Sequence, residues 1–135
     1  MKKSLLIALA VLLVISCKKT KFDPEGPTDV RIRNLTTYTF HNVTADIDTI
    51  VNFGTIDKQS TSKYIRFPKA YPKVKLKAQV EQSDGSRVEY TTEDNFDYTY
   101  MQYMGQMKIT YEIHIKGEYI EVNVKADEQI GRAHV

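Results

Sequence analysis

Few residues in this chain are of a type and spacing that could do chemistry. Of its 3 histidines, His41 and His114 fall where the sequence has regular patterning, and His134 stands next to the last residue. Neither His41 nor His114 has a second histidine at i+2 or i+4, the spacing that turns two imidazoles toward one metal. His114 sits between Ile113 and Ile115, on the polar side of an alternating run. A serine hydrolase needs a serine on a tight turn beside a histidine and an acid, and no Gly-x-Ser-x-Gly occurs. Glu93-Asp94-Asn95-Phe96-Asp97 gathers oxygens that calcium would accept, but it lacks the spaced ligands, glycine and closing glutamate of an EF-hand loop. We read it as a solvated loop. No residue set calls for a metal or a cofactor, and we expect no enzymatic activity.

The tyrosines just after that loop are more informative. Tyr98, Tyr100 and Tyr103 stand among Phe96, Met101, Met104 and Met107. Tyrosine and methionine suit adaptable binding surfaces, and flat aromatic faces suit sugar rings. The three tyrosines with Met101 and Met104 form the candidate ligand surface. Tyr98 and Tyr100 also alternate as a packed strand would, with Gly105 marking a bend.

The single cysteine, Cys17, follows Lys2, Lys3 and the apolar run Leu5–Ile15. That run is too short to cross a bilayer core, which takes about 20 helical residues, and its basic flank fits a cleaved secretory signal. Val14-Ile15-Ser16-Cys17 resembles the lipobox of bacterial lipoproteins. The resemblance implies cleavage between Ser16 and Cys17, diacylglycerol on the Cys17 sulfur, and acylation of the new amine. A single acyl chain binds a membrane only marginally, whereas two or three hold durably. With Cys17 lipidated no thiol remains, which excludes disulfides, zinc–thiolate sites and cysteine nucleophiles. Lys18 and Lys19 follow, rather than the aspartate that resembles an inner-membrane retention signal. The expected address is therefore the outer membrane, on its periplasmic face or at the cell surface, with the membrane itself as the first partner.

Composition narrows the partners further. Lys2 and Lys3 are the only charges in residues 1–16, so the remaining 119 residues carry 17 basic against 17 acidic side chains. That balance removes the main argument for a nucleic-acid partner, which would want a basic face. The organisation we expect is a signal at 1–16, the lipidated cysteine and a Pro- and Gly-containing tether at 17–29, and one domain at 30–128. The last six residues, Ile130–Val135, are similar to the translation of a common sequencing-library adapter. Residues 129–135 are therefore read as an artefact or a loose tail.

The domain reads as all-β. Val30 and Ile32 alternate with Arg31 and Arg33, and a second run from Tyr38 and Phe40 shifts phase at His41-Asn42, which marks a bulge or turn. Ile50–Ile56 is a weaker strand broken by Gly54, and Lys63–Phe67 ends at Pro68, which favours an edge or a crossover. Val74, Leu76, Ala78 and Val80 face one way. A three-residue loop Ser83-Asp84-Gly85 then pairs Val80 with Val88, Ala78 with Tyr90 and Glu81 with Arg87. Gly117-Glu118, as a type II′ turn, sets Ile115 opposite Ile120, Ile113 opposite Val122 and Tyr111 opposite Val124. Seven to nine short strands, each with one apolar face, point to a single antiparallel β-sandwich, immunoglobulin-like or transthyretin-like. A partly open β-barrel is the alternative.

Asn52-Phe53-Gly54-Thr55-Ile56, Ser62, Tyr64, Phe67 and Ala70-Tyr71 together resemble a pattern found in a group of small Gram-negative envelope lipoproteins. The resemblance spans most of residues 30–125, implies a β-sandwich at the cell envelope, and brings no catalytic residue. Asp48-Thr49-Ile50 resembles a short O-glycosylation acceptor, and Asn34-Leu35-Thr36 and Asn42-Val43-Thr44 are sequon-like. The functional expectation is a non-catalytic, lipid-anchored envelope protein that binds a protein partner or serves as a scaffold. The alternative is an accessory glycan-binding module using the tyrosine surface, and a small hydrolase is a third, weaker class.

Overall fold

A computed structural model describes residues 23–47, 49–93 and 96–129. The expected signal segment, the expected Ser16–Cys17 processing site and residues 130–135 lie outside them. Eight strands follow in order: β1 (Thr28–Asn34), β2 (Phe40–Ile47), β3 (Thr49–Asn52), β4 (Ile65–Phe67), β5 (Lys75–Glu81), β6 (Arg87–Thr92), β7 (Met107–Lys116) and β8 (Tyr119–Gln129). Thr28 and Asn34, at the two ends of β1, are as buried as Val30 and Ile32 between them.

The strands join one hydrogen-bonded sheet in the order β3-β2-β5-β6-β8-β7-β1-β4. A sandwich needs two sheets; this single curled sheet fits the partly open barrel. Nor is it wholly antiparallel. β1 runs parallel to β7 from Thr28↔Met107 to Asn34↔Ile113, and β6 meets β8 in parallel at Thr91↔Tyr119 and Thr92↔Ile120. Alternation in sequence dictates which side chains a strand buries, but not which strand lies beside it or in which direction. Val30 and Ile32 come opposite Ile109 and Tyr111 on the buried face.

The curl comes from the stretch between β3 and β4. Its first part bonds to β2: Phe53 N–H donates to Val43 O (2.7 Å), Val43 N–H to Gly54 O (3.0 Å), and Ile56 bridges Phe40. Its second part bonds to β1: Asn34 N–H donates to Ser60 O (2.9 Å), Ser62 N–H to Ile32 O (2.9 Å), and Thr61 bridges Arg33. One segment thus ties together strands that stand second and seventh in the sheet, and the core fills the concave side. Tyr111, Phe40, Phe67, Ile32, Ile56, Ile109 and Ile113 are its largest fully buried side chains. Each contributes about 1.5–3 kcal/mol through the apolar area it withdraws from water.

The β5–β6 and β7–β8 hairpins have the registers read from the sequence. Val80↔Val88, Ala78↔Tyr90 and Glu81↔Arg87 are paired, with Gly85 at φ +85 in the left-handed region. Ile115↔Ile120, Ile113↔Val122 and Tyr111↔Val124 are paired across Gly117, at φ +62. The phase shift in β2 is a bulge at His41–Thr44, with Asn42 at φ 50. β4 is the edge strand that Pro68 foretold. Val88 departs from its pattern, because β8 reaches β6 only at Thr91 and Thr92 and leaves Val88 45% exposed.

Asp29 and Arg66 face each other across β1 and β4, and the carboxylate accepts both Nε (2.8 Å) and Nη2 (3.2 Å). That hydrogen bond, with the charge of Arg66, holds the Asp29 carboxyl below its ordinary value of 3.8. A depressed carboxyl pKa stabilises the fold above the unfolded value and loses that contribution as pH falls through the folded one. Arg66 is mostly exposed, so solvent screens the pair and its contribution is small. Arg66→Gln is expected to lower Tm modestly at neutral pH, and the gap to the parent should close as pH falls through the lowered carboxyl pKa. A gap in Tm that is the same at both ends of the scan would refute this account of the pair.

Candidate functional site

The chain leaves β6 at Thr92 and returns at Met107, and the stretch between carries the candidate ligand surface. Local bonds shape it. Asp97 Oδ1 accepts from Thr99 N–H (3.0 Å), and Met101 N–H donates to Tyr98 O (3.1 Å), so the backbone turns where alternation suggested a strand. Met104 N–H donates to Ala70 O (2.8 Å), which docks the loop on the segment between β4 and β5. Gly105, at φ +84, steers the chain into β7 with a backbone conformation that L side chains rarely adopt. Its carbonyl accepts from the buried Thr28 hydroxyl.

Tyr98 is the keystone of this loop. Its ring stacks on Tyr71, centroids 4.5 Å apart and 15° between planes. Its hydroxyl donates to Asp46 O (2.8 Å) and accepts from Lys75 N–H (2.8 Å), joining β2 to β5. Tyr103 tilts against the same Tyr71 ring at 5.6 Å, and Phe96 meets Tyr98 edge-on at 5.8 Å. Beneath them, Tyr71 O accepts the hydroxyl of Tyr111, whose burial raises its pKa above the ordinary tyrosine value and keeps it a neutral donor.

The five expected residues separate into two kinds. Tyr98, Met101 and Tyr103 gather with Tyr71 and Thr99 around a hollow of about 400 Å³. Met104 packs against the core, and Tyr100 alone projects, 97% exposed. Sequence reasoning set Phe96 beside these tyrosines but missed the other partners: Tyr71 and three lysines. Lys69 Nζ lies 4.4 Å from the Tyr103 ring centre and 3.1 Å from its hydroxyl. Lys73 lies 5.4 Å from the Phe96 centre, and Lys75 lies 5.7 Å from Phe96 and 5.9 Å from Tyr98. The available signal was the lysine-rich outer face that alternates with Val74 and Leu76. A second, smaller cleft of about 240 Å³ opens where β6 and β8 part, between Phe96 and Tyr119, over Val74 and Ile120.

The other candidates stay apart. His41 Nε2 is 3.2 Å from Glu81 and its Nδ1 is 3.3 Å from the Thr55 hydroxyl, whereas His114 pairs with Glu121 in the distant β7–β8 hairpin. Among the described residues no group of three or more His, Cys, Asp or Glu could hold a metal ion. Glu93 and Asp97 are exposed, and Asp94 and Asn95 lie outside the described residues. Of the sequon-like asparagines, Asn34 is fully buried with its amide donating to three carbonyls, so it is no glycan acceptor in the folded domain. Asn42 is exposed, as is Thr49.

Over its described residues the chain is thus an all-β protein of eight strands in one curled sheet, with an aromatic loop fastened against it. No family model and no curated protein matches it. A search of solved structures finds similarity to a proposed cell adhesion protein from Bacteroides uniformis. The two share 15% identity at a TM-score of 0.38, over 79% of this chain and 51% of the other. The chain spans about half the length of that neighbour, and at this score the likeness carries no argument. The functional reading rests on the chain's own residues.

Proposed function

We propose that this protein is a non-catalytic binding domain, lipid-anchored through Cys17 at the outer membrane, that meets its ligand with the 96–104 loop. The observation that carries the reading is the contrast within that loop. Tyr98 and Tyr103 are built into a ring stack on Tyr71, while Tyr100 is held in water at 97% exposure on the same turn. A stack anchored by backbone hydrogen bonds fixes the loop before a ligand arrives, which reduces the ordering that binding must impose. An exposed tyrosine beside it offers a flat face and a hydroxyl at little conformational cost.

The test uses the full chain from its native envelope fraction, passed over immobilised cell-surface polysaccharide and over immobilised outer-membrane proteins. Tyr100→Ala is expected to reduce retention on one of the two supports about tenfold while the thermal unfolding curve stays put. Undiminished retention on both would end the loop reading. Intact mass on the same sample checks the anchor: Cys17 as first residue plus two or three acyl chains supports it, and an unlipidated soluble chain refutes it.

A protein partner bound by strand addition is a second reading, favoured by one observation. Arg87–Tyr90 pairs with β5 on one side and, among the described residues, has no strand on the other, leaving Val88 45% exposed at an open edge. Such edges accept a partner strand through main-chain hydrogen bonds.

A further inference from the structure

Three ammonium groups line the aromatic stack, and their environment differs from that of the cations held in ion pairs. Arg66, Lys77 and Lys116 each have a carboxylate within 4.0 Å: Asp29, Glu89 and Glu121. Lys69, Lys73 and Lys75 have none within that distance among the described residues; their neighbours are aromatic rings. The contacts form one unbroken row. Lys73 and Lys75 share Phe96, Lys75 reaches Tyr98, Tyr98 stacks on Tyr71, and Tyr71 touches Tyr103, which Lys69 covers. Glu25 is the acid whose charge is felt at Lys69, though no ion pair forms between them.

A ring face attracts a cation and limits where its flexible stem can go, but it leaves the positive charge uncancelled. Lysines held this way are a fixed array of charge in a chain whose part beyond residue 16 is formally neutral. The arrangement also settles what the rings can do. Lys69 already lies over Tyr103, and Tyr71 takes one face of Tyr98, so a neutral sugar would have to displace a lysine to stack there. A polymer that carries a negative charge on each ring keeps the lysines in place and uses them.

We propose that the Lys69–Lys73–Lys75 row binds an anionic polysaccharide, with carboxylate or sulfate groups on the ammoniums and a sugar ring against the projecting Tyr100. This rests on the reading of the 96–104 loop as the ligand surface and names the class of ligand. Repeated charges joined by rings with C–H faces match a surface where ammoniums alternate with apolar ring edges. An acidic polypeptide would match the charges alone.

The experiment measures binding of the full chain, in detergent, to polygalacturonate, dextran sulfate, neutral dextran, polyglutamate and phosphatidylglycerol vesicles. Tight binding to polygalacturonate or dextran sulfate is expected, with none to dextran. The triple variant Lys69→Gln, Lys73→Gln, Lys75→Gln should weaken it tenfold or more, and added salt should weaken the parent. Lys58→Gln with Lys63→Gln, distant lysines, should leave binding unchanged. Thermal unfolding of each variant separates lost binding from lost fold. Equal binding by the triple variant overturns the proposal, as does polyglutamate or vesicle binding as tight as that of the two polysaccharides. Dextran binding that Tyr100→Ala removes and the triple variant keeps would overturn the anionic ligand while leaving the loop reading intact. If the triple variant binds as the parent does and Tyr100→Ala also changes nothing, both fall.

Discussion

Replacing Asn34 with alanine is expected to lower the unfolding free energy by about 3–5 kcal/mol, as a buried polar network loses its centre. Asn34 is fully buried at the end of β1. Its amide donates to Tyr38 O (2.7 Å), Ile56 O (3.2 Å) and Asp57 O (3.2 Å), and its carbonyl oxygen accepts from the Thr36 N–H (3.0 Å) and hydroxyl (2.7 Å). One side chain therefore holds the β1–β2 turn and the turn that follows Ile56, where the curled sheet is drawn together. Alanine would leave these groups without their partner. Each orphaned buried group costs about 1–3 kcal/mol, reduced where water can enter. Aspartate would be no remedy, because a carboxylate would face the three carbonyls that now accept hydrogen bonds. The measurement is thermal unfolding of Asn34→Ala, with a fall in Tm of roughly 15 °C or more. A shift under about 4 °C would show that the turns hold without the asparagine.

Tyr98→Ala is expected to cost about 2–4 kcal/mol, while Tyr100→Ala, two residues away, stays within about 0.5 kcal/mol of the parent. Tyr98 loses its stacking on Tyr71 and the two hydrogen bonds through which its hydroxyl joins Asp46 to Lys75. Tyr98→Phe keeps the ring and loses the hydroxyl, and should fall between, at about 1–2 kcal/mol. Denaturant unfolding of the three variants gives the order directly. Equal effects at positions 98 and 100 would contradict the division between a structural tyrosine and a presented one. The same division bears on binding assays: a variant that includes Tyr98→Ala tests folding before it tests recognition.

The registers of the β5–β6 and β7–β8 hairpins could be read from the chain because each depends on a short stretch. Gly85 and Gly117 supply left-handed turns, and the apolar residues on either side leave one way to bring their faces together. The bulge at His41–Thr44 was visible for the same reason, as a slip in alternation. What could not be read was which strands neighbour each other across the sheet. Val30 and Ile32 need an apolar neighbour, and nothing in their spacing selects β7 over any other strand or parallel over antiparallel. The candidate site divides the same way. Tyr98, Tyr100 and Tyr103 were visible as a cluster, but which one faces water depends on Ala70 and Tyr71, nearly thirty residues earlier. Nothing in the spacing of Lys69, Lys73 and Lys75 marks them as part of a site; the fold does so by bringing Phe96 and the tyrosines alongside them.

The parallel pairing of β1 with β7 has a consequence for the order of events in the cell. Arg31 and the Thr110 hydroxyl it bonds are separated by 79 positions in the chain. Until β7 is available, Val30 and Ile32 lack the strand that covers one side of them, and no local hairpin can substitute. Contacts this distant in sequence make folding slow and favour its completion after the whole domain is present. A nascent chain reaching only Gln106 would remain loose and open to proteases. For a polypeptide proposed to cross a membrane behind a signal, that delay is useful: it keeps the chain threadable until it has passed through, and lets the last hairpin trigger closure on the far side.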